Sequence, residues 1–359
     1  MNPTGDQDLL LQVEGVSKFF PVHSGLLLRK TGDVRAVDNV SFSLRRGETF
    51  GLVGESGCGK STLGRTLIKL YEPSAGRVLF RGQDTTKLSG QGLKTFKRSV
   101  QMIFQDPYAS LNPRHTVGHI VAEPLRVHFP EMPAADRANK VKSLLRKVGL
   151  NPDYTNRYPH EFSGGQRQRI SIARAIALEP DLVICDEPVS ALDVSIQAQV
   201  LNLMKDLQQE FGLTYIFISH DLGVIEHMCS SVAVMYLGRI VEQAPSAELF
   251  ANPKHPYTKA LLGAVPRIGM GKAKMGRALK GDVPSPLKPP TGCHFHPRCA
   301  VAGTLCSKVL PELAPVSSTH GVACLRATGG DAAAGPVLAN NPNQPTNLRS
   351  QTTQQPDSH

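Results

Sequence analysis

The chain has 359 residues, 40% of them hydrophobic, enough for one α/β domain with a large buried core and additions to it. Its formal net charge of +10 is spread along the sequence and forms no basic tract with interleaved aromatics, which argues against a nucleic-acid partner and favours contact with an anionic lipid surface. No apolar run approaches the ~18 residues that span a bilayer, and no charged stretch with an apolar core opens the chain, so a cytosolic protein, or one peripheral to the cytosolic face of a membrane, is expected.

A polar start, residues 1–8, is expected to be disordered and gives way to the strand-like Leu9-Leu10-Leu11-Gln12-Val13. After Phe19 and Phe20 a long loop is expected from Pro21 to Arg35, with the core resuming at Ala36-Val37-Asp38-Asn39-Val40. The apolar run Thr49-Phe50-Gly51-Leu52-Val53 then leads into Gly54-Glu55-Ser56-Gly57-Cys58-Gly59-Lys60-Ser61-Thr62, and a helical pattern follows with Leu63, Leu67, Ile68 and Leu70. Strand, glycine-rich loop and helix are the setting of a P-loop. Its glycines let backbone N–H groups turn onto a β-phosphate, Lys60 reaches the β- and γ-phosphates, and the Ser61 hydroxyl is offered to Mg²⁺. A bare glycine-rich turn lacks those flanking elements.

The next apolar run, Val100-Gln101-Met102-Ile103-Phe104, ends at Gln105, whose amide suits either Mg²⁺ or an attacking water and equally suits a loop cap. From Asp106 to His160 the pattern is mostly helical, with prolines at 107, 113, 124, 130 and 133 expected to break it, so a helical subdomain inserted over about 106–165 is expected. Ser163-Gly164-Gly165-Gln166 starts a further helix and presents donors to an anion. Leu182-Val183-Ile184-Cys185 reads as a buried parallel strand delivering Asp186 and Glu187 to its C-terminal edge, Asp186 for Mg²⁺ and Glu187 as general base towards water. Asp193 suits a helix N-cap before Val194-Ser195-Ile196. His220 ends the run Tyr215-Ile216-Phe217-Ile218-Ser219, placed either to contact the γ-phosphate or to serve the structure alone.

In this order and spacing the P-loop, Gln105, Ser163-Gly164-Gly165-Gln166, Asp186-Glu187, Ser190-Ala191-Leu192-Asp193 and His220 resemble an ABC-type ATPase. The resemblance implies an α/β fold with a P-loop NTPase (RecA-like) core over residues 9–250, ATP and Mg²⁺ as ligands, and two ATPase domains packed head to tail. It further implies that Ser163, Gly164, Gly165 and Gln166 close on the γ-phosphate held by the partner's P-loop, that Asp193 lies in the loop between subunits, and that the adenine stacks on the segment Val16-Ser17-Lys18-Phe19-Phe20, with Phe20 as the ring.

Residues 251–326 carry Asn252-Pro253-Lys254-His255-Pro256-Tyr257 and a cysteine-containing stretch, and with Gln105-Asp106-Pro107-Tyr108 and Tyr158-Pro159-His160-Glu161-Phe162 they resemble the ATP-binding subunits of dipeptide and oligopeptide importers, nearest the F-type subunit of dipeptide importers. That implies a paralogous ATPase partner (or a second copy of this chain), two transmembrane permease subunits, an extracytoplasmic peptide-binding protein, and a peripheral place on the cytoplasmic face of the inner membrane. Nickel, glutathione and longer oligopeptides stand as alternative cargoes. A soluble ABC-type ATPase acting on nucleic acid or ribosomes is the rival of another class, and this chain lacks the second ATPase core or long coiled coil usual there. A regulatory module without catalysis is the other rival, set against Asp186, Glu187 and His220.

Cys293, Cys299, Cys306 and Cys324 are not spaced as C-x-x-C, and their residue type suits Zn²⁺ and an iron–sulfur cluster equally, or inert buried thiols. The resemblance implies a [4Fe–4S] cluster, with Zn²⁺ as the alternative and His294, His296 and His320 as substitute ligands. Cys58, Cys185 and Cys229 read as small buried residues. Residues 327–359, rich in small and polar residues without periodicity, are expected to be a disordered tail.

Overall fold

The computed structural model describes residues 8–24, 29–264 and 281–329. The expected disorder of 1–8 and of 327–359 falls, apart from residue 8 and residues 327–329, outside the described residues. In chain order, β1 (Leu9–Ser24) and β2 (Arg29–Arg45) precede β3 (Thr49–Val53), α1 (Lys60–Leu67), β4 (Ala75–Phe80), β5 (Gln83–Asp84), α2 (Gly90–Ser99) and β6 (Val100–Ile103). The helices α3 (Pro107–Ser110), α4 (Val117–His128), α5 (Ala134–Lys147) and α6 (Gly164–Ile176) come next. Then follow β7 (Leu182–Asp186), α7 (Val194–Phe211), β8 (Thr214–Ser219), α8 (Leu222–Met228), β9 (Ser231–Tyr236) and β10 (Arg239–Pro245). Helices α9 (Ser246–Ala251) and α10 (Pro256–Gly263) and the short strands β11 (Ala314–Pro315) and β12 (Gly321–Val322) complete the elements used below.

Two sheets organise the molecule. An eight-stranded sheet runs β11-β12-β10-β9-β3-β8-β7-β6, parallel from β9 through β6 and antiparallel beyond, and an antiparallel sheet runs β2-β1-β4-β5. Every residue of β3, β7 and β8 is buried, as expected for parallel strands covered on both faces. Alternation along these strands divides the core. Leu182 and Ile184 join α1 and the antiparallel sheet on one face, whereas Val183 and Cys185 join α4 to α8 on the other. The C-terminal edge of the sheet is therefore set between two packed layers, with little freedom to shift.

Three expectations are corrected. Of the loop expected from Pro21 to Arg35, the described residues 21–24 and 29–35 continue the β1–β2 pair, with Phe20 opposite Val34 and Pro21 opposite Asp33. β4 accompanies β1 only as far as Ser17, so Pro21 has a neighbour on one side and its missing N–H breaks no ladder there. Pro124, expected to interrupt the helical region, lies inside α4, whose buried Val117, Ile120, Val121 and Leu125 outweigh the lost backbone bond. Leu70 lies beyond the end of α1 and is 52% exposed, so the apolar face of that helix stops at Leu67.

The region after residue 250 folds back on the core: β12 pairs with β10 through Glu242 opposite Val322. Glu242 and His320 are fully buried, and the Glu242 carboxylate accepts from His255 N–H at 3.0 Å and pairs with His320 Nε2 at 2.7 Å, while His320 Nδ1 faces Glu248 at 2.9 Å. His320 is thus engaged by two carboxylates and is withdrawn from the list of substitute metal ligands. Removing the acceptor strands a buried imidazole and two backbone donors. Glu242→Ala is expected to lower folding stability by about 3 kcal/mol in denaturant titration, and an unchanged unfolding midpoint would contradict this account of the clamp.

Candidate active site

The loop between β3 and α1 owes its shape to two glycines. Gly59, at φ 106°, sits where a Cβ would come within 1.9 Å of the Ala36 carbonyl oxygen, and at Gly54 a Cβ would come within 2.2 Å of the Met235 oxygen. Only glycine allows the loop this close to β2 and β9. Lys60 then opens α1, 4% exposed, with Nζ donating to the carbonyls of Gly54 at 2.7 Å and Glu55 at 2.9 Å. Its ammonium lies over the hollow of its own loop, and Ser56 and Gly57 face solvent.

Across the hollow, Ser61 Oγ donates to Asp186 Oδ1 at 2.7 Å. Asp186 is fully buried, its Oδ2 has no hydrogen-bond partner, and burial raises its pKa, opposed by the Ser61 bond. A buried carboxylate with one oxygen engaged by a serine and the other orphaned has the hard-oxygen chemistry that Mg²⁺ takes, so these two residues fit that ion.

Glu187 follows with φ 47°, a left-handed conformation that is strained for a side-chain-bearing residue. Its N–H is held by the Ile218 carbonyl at 2.9 Å, which fixes the turn against β8. The carboxylate, 13% exposed, accepts from Gln105 Nε2 at 2.9 Å and lies 3.2 Å from His220 Nδ1. Thus β6, β7 and β8 each deliver one polar group from their C-terminal ends to a single point beside the P-loop.

Other candidates lie apart. Ser163 caps α6 in a reciprocal pair with Gln166, and among the described residues no hydrogen bond joins 163–166 to 54–62. Gly165 has room for no side chain, because a Cβ there would lie 2.5 Å from Ile196 of α7. Asp193 does precede α7 as its N-cap, but its side chain makes no capping bond, and Val194 beside it is 82% exposed. Phe20 is half-buried and meets Tyr71 edge-on at 5.4 Å, with Lys18 Nζ 5.1 Å from its ring centre. Tyr71 was not legible as part of this cluster.

Gln105 is also linked mechanically. It stands two residues before α3, and α3 is tied to α6 by Arg174 Nη1 donating to the Ser110 carbonyl at 2.6 Å. Beside this link a cleft of about 630 Å³ opens, lined by Met102, Phe104, Gln105, Pro124, His128 and Arg174.

The later cysteines come together. Cys293, Cys299, Cys306 and Cys324 line one small cavity with Phe295 and His296, whereas His294 lines a different one. Burial pushes the Cys293 thiol up to about 11 and raises Cys299 as well. Among the described residues, however, no three His, Cys, Asp or Glu side chains are gathered so as to hold a metal ion. The four thiols thus share one cavity, and the described geometry by itself marks no metal centre there. Cys58, Cys185 and Cys229 are buried in the core.

The pattern described as ABC transporter matches residues 37–190, and that described as oligopeptide/dipeptide transporter, C-terminal region, matches residues 241–306. The chain is 56% identical to the oligopeptide transport ATP-binding protein AppF of Bacillus subtilis, over 89% of this chain and 98% of that one. It is 50% identical to the oligopeptide transport ATP-binding protein OppF of Haemophilus influenzae, over 91% and 99% of the two chains. Among solved structures, a dimeric post-hydrolysis state of the ATP-binding cassette MJ0796 bound to ADP and Pi superposes with a TM-score of 0.59 at 26% identity, over 66% of this chain and 99% of that one.

Proposed function

We infer how this chain works from the family to which it belongs, the ABC transporters, and within it the ATP-binding proteins of peptide transport: it hydrolyses ATP to power peptide import. Its fold is the α/β P-loop core of an ABC ATPase. The observation that carries the mechanism is the Glu187 carboxylate, held between Gln105 and His220 one residue beyond the buried Asp186–Ser61 pair.

In this reading Lys60 releases the Gly54 and Glu55 carbonyls to grip the β- and γ-phosphates, while backbone N–H groups of 55–60 surround the β-phosphate. Ser61, Asp186 and Gln105 would hold Mg²⁺, which would supply neutralisation of phosphate charge. Glu187 takes a proton from the attacking water, His220 contacts the γ-phosphate and steadies the Glu187 carboxylate, and the adenine rests on Phe20.

The outward-facing Ser163, Gly164, Gly165 and Gln166, unbonded to their own P-loop, close on the γ-phosphate of a second ATPase subunit, with Asp193 in the loop between them. A paralogous partner fits this arrangement as a second copy does. In this reading the cleft beside Gln105 receives a permease subunit, and the chain works at the cytoplasmic face of the inner membrane. Motion passes from the γ-phosphate through Gln105, α3 and α6. Among the described residues no helix is long and apolar enough to cross a membrane. Cargo is selected by the permeases and an external binding protein; relatives named for oligopeptides support peptides longer than two residues alongside dipeptides.

For the four cysteines we propose a [4Fe–4S] cluster, supported by their convergence on one cavity. Anaerobically purified protein is expected to carry about four iron and four sulfide per chain and to lose both in Cys299→Ser, and a chain with a single zinc or no metal would refute the cluster. For hydrolysis, Glu187→Gln is expected to keep ATP binding and to slow turnover by ~10²-fold or more, and unchanged turnover would refute Glu187 as the base.

A further inference from the structure

Glu55, the second residue of the P-loop, is gripped from outside the loop. Arg298 lies in a short 3₁₀ turn, His296–Arg298, between the cavity-lining Cys293 and Cys299, and its guanidinium closes a two-pronged pair with the Glu55 carboxylate, Nη1–Oε2 at 2.6 Å and Nη2–Oε1 at 3.0 Å. The Arg298 side chain is only 5% exposed, and Glu55 is 24% exposed. The same arginine reaches the Tyr236 hydroxyl at 3.5 Å, and the Glu55 N–H donates to the Tyr257 hydroxyl at 2.8 Å. Tyr236, Tyr257 and Phe295 pack on one another with ring centres 4.7–5.3 Å apart. The pocket behind Glu55 is thus a rigid aromatic wall with a charged fork, built jointly by β9, α10 and the cysteine-containing segment.

Glu55 is also where Lys60 is held. Its carbonyl accepts from Lys60 Nζ at 2.9 Å and from the Cys58 N–H at 3.3 Å. One residue therefore joins the extension to the phosphate-gripping lysine: side chain to Arg298, N–H to Tyr257, carbonyl to Lys60. A planar bidentate pair fixes direction as well as distance, which a flexible ammonium does not.

We propose that Arg298 is a positioning residue for the nucleotide, holding Glu55 so that the first turn of the P-loop presents its N–H groups and Lys60 to the phosphates, and that the C-terminal extension thereby sets the affinity for ATP. The proposal rests on the P-loop reading given above. Because Arg298 acts through Glu55 on the ground-state grip and touches neither the attacking water nor Glu187, its loss falls on binding rather than on turnover.

The test measures, on the full-length chain, the dissociation constant of a fluorescent ATP analogue together with KM and kcat of ATP hydrolysis, for Arg298→Met, Arg298→Lys, Glu55→Gln and the double variant Arg298→Met/Glu55→Gln. Each of Arg298→Met and Glu55→Gln is expected to weaken binding and raise KM by about tenfold with kcat within about threefold, Arg298→Lys to recover part of the loss, and the double variant to be no worse than either single one. Binding and KM within about twofold of the parent in a folded variant, or single effects that multiply in the double variant, would overturn the proposal. If Arg298→Met does not fold, Glu55→Gln, which leaves the arginine and its packing in place, decides alone by the same criteria. Lys60→Ala separates the two readings: loss of binding there with none in Glu55→Gln defeats this proposal only, whereas unaltered binding in Lys60→Ala defeats the P-loop reading itself.

Discussion

Burial of the Asp186 carboxyl at the end of β7 is the constraint on which the rest of the site depends. The strand is covered on both faces, so the side chain is buried, and burial is the foremost of the effects that raise its pKa. One oxygen is engaged by Ser61, the other by nothing in the chain. Such a group is tolerated where a cation completes it, and the P-loop that would deliver the phosphates of that cation's ligand lies directly opposite. Glu187 can then sit one residue farther, in a strained turn fixed by β8, with its carboxylate at the mouth rather than in the interior. Two adjacent carboxylates thereby acquire different surroundings and different work.

The nucleotide half of the site was legible because its signals are local. Phosphate-binding glycines, the strand before them and the helix after them are adjacent in sequence, and β3, β7 and β8 coincide with the apolar runs that predicted them to within a residue. Gln105, Glu187 and His220 were each readable as a polar residue ending a strand, but their meeting needed the parallel order of β6, β7 and β8. What stayed hidden was long-range. Tyr257 and Arg298 reach Glu55 across 202 and 243 residues, and neither lies in a pattern that separates it from an ordinary loop or helix residue. The pairing of β1 with β2 past Pro21 was missed for a related reason: its residues carry no apolar alternation.

The proposed reading makes the chain one half of a working pair. The P-loop and Glu187 lie together, whereas Ser163, Gly164 and Asp193 are exposed, Ser163 and Gln166 bond each other at the start of α6, and the Asp193 side chain makes no capping bond. In the proposed reading a second subunit brought to the first would place an anion-binding helix start against a γ-phosphate, so that ATP binding would favour the closed pair and hydrolysis would remove what holds it. The C-terminal segment, by adding β12 to β10 and Arg298 to Glu55, is built into the same unit rather than appended to it.

The most direct test of the account is uptake of a labelled oligopeptide into proteoliposomes that contain this chain with its ATPase partner and permeases, ATP enclosed on the chain's side and binding protein on the other. ATP-dependent accumulation that unlabelled peptide competes away and nickel or glutathione does not is the predicted result. Accumulation of nickel or glutathione under the same conditions, with peptide left outside, would contradict it.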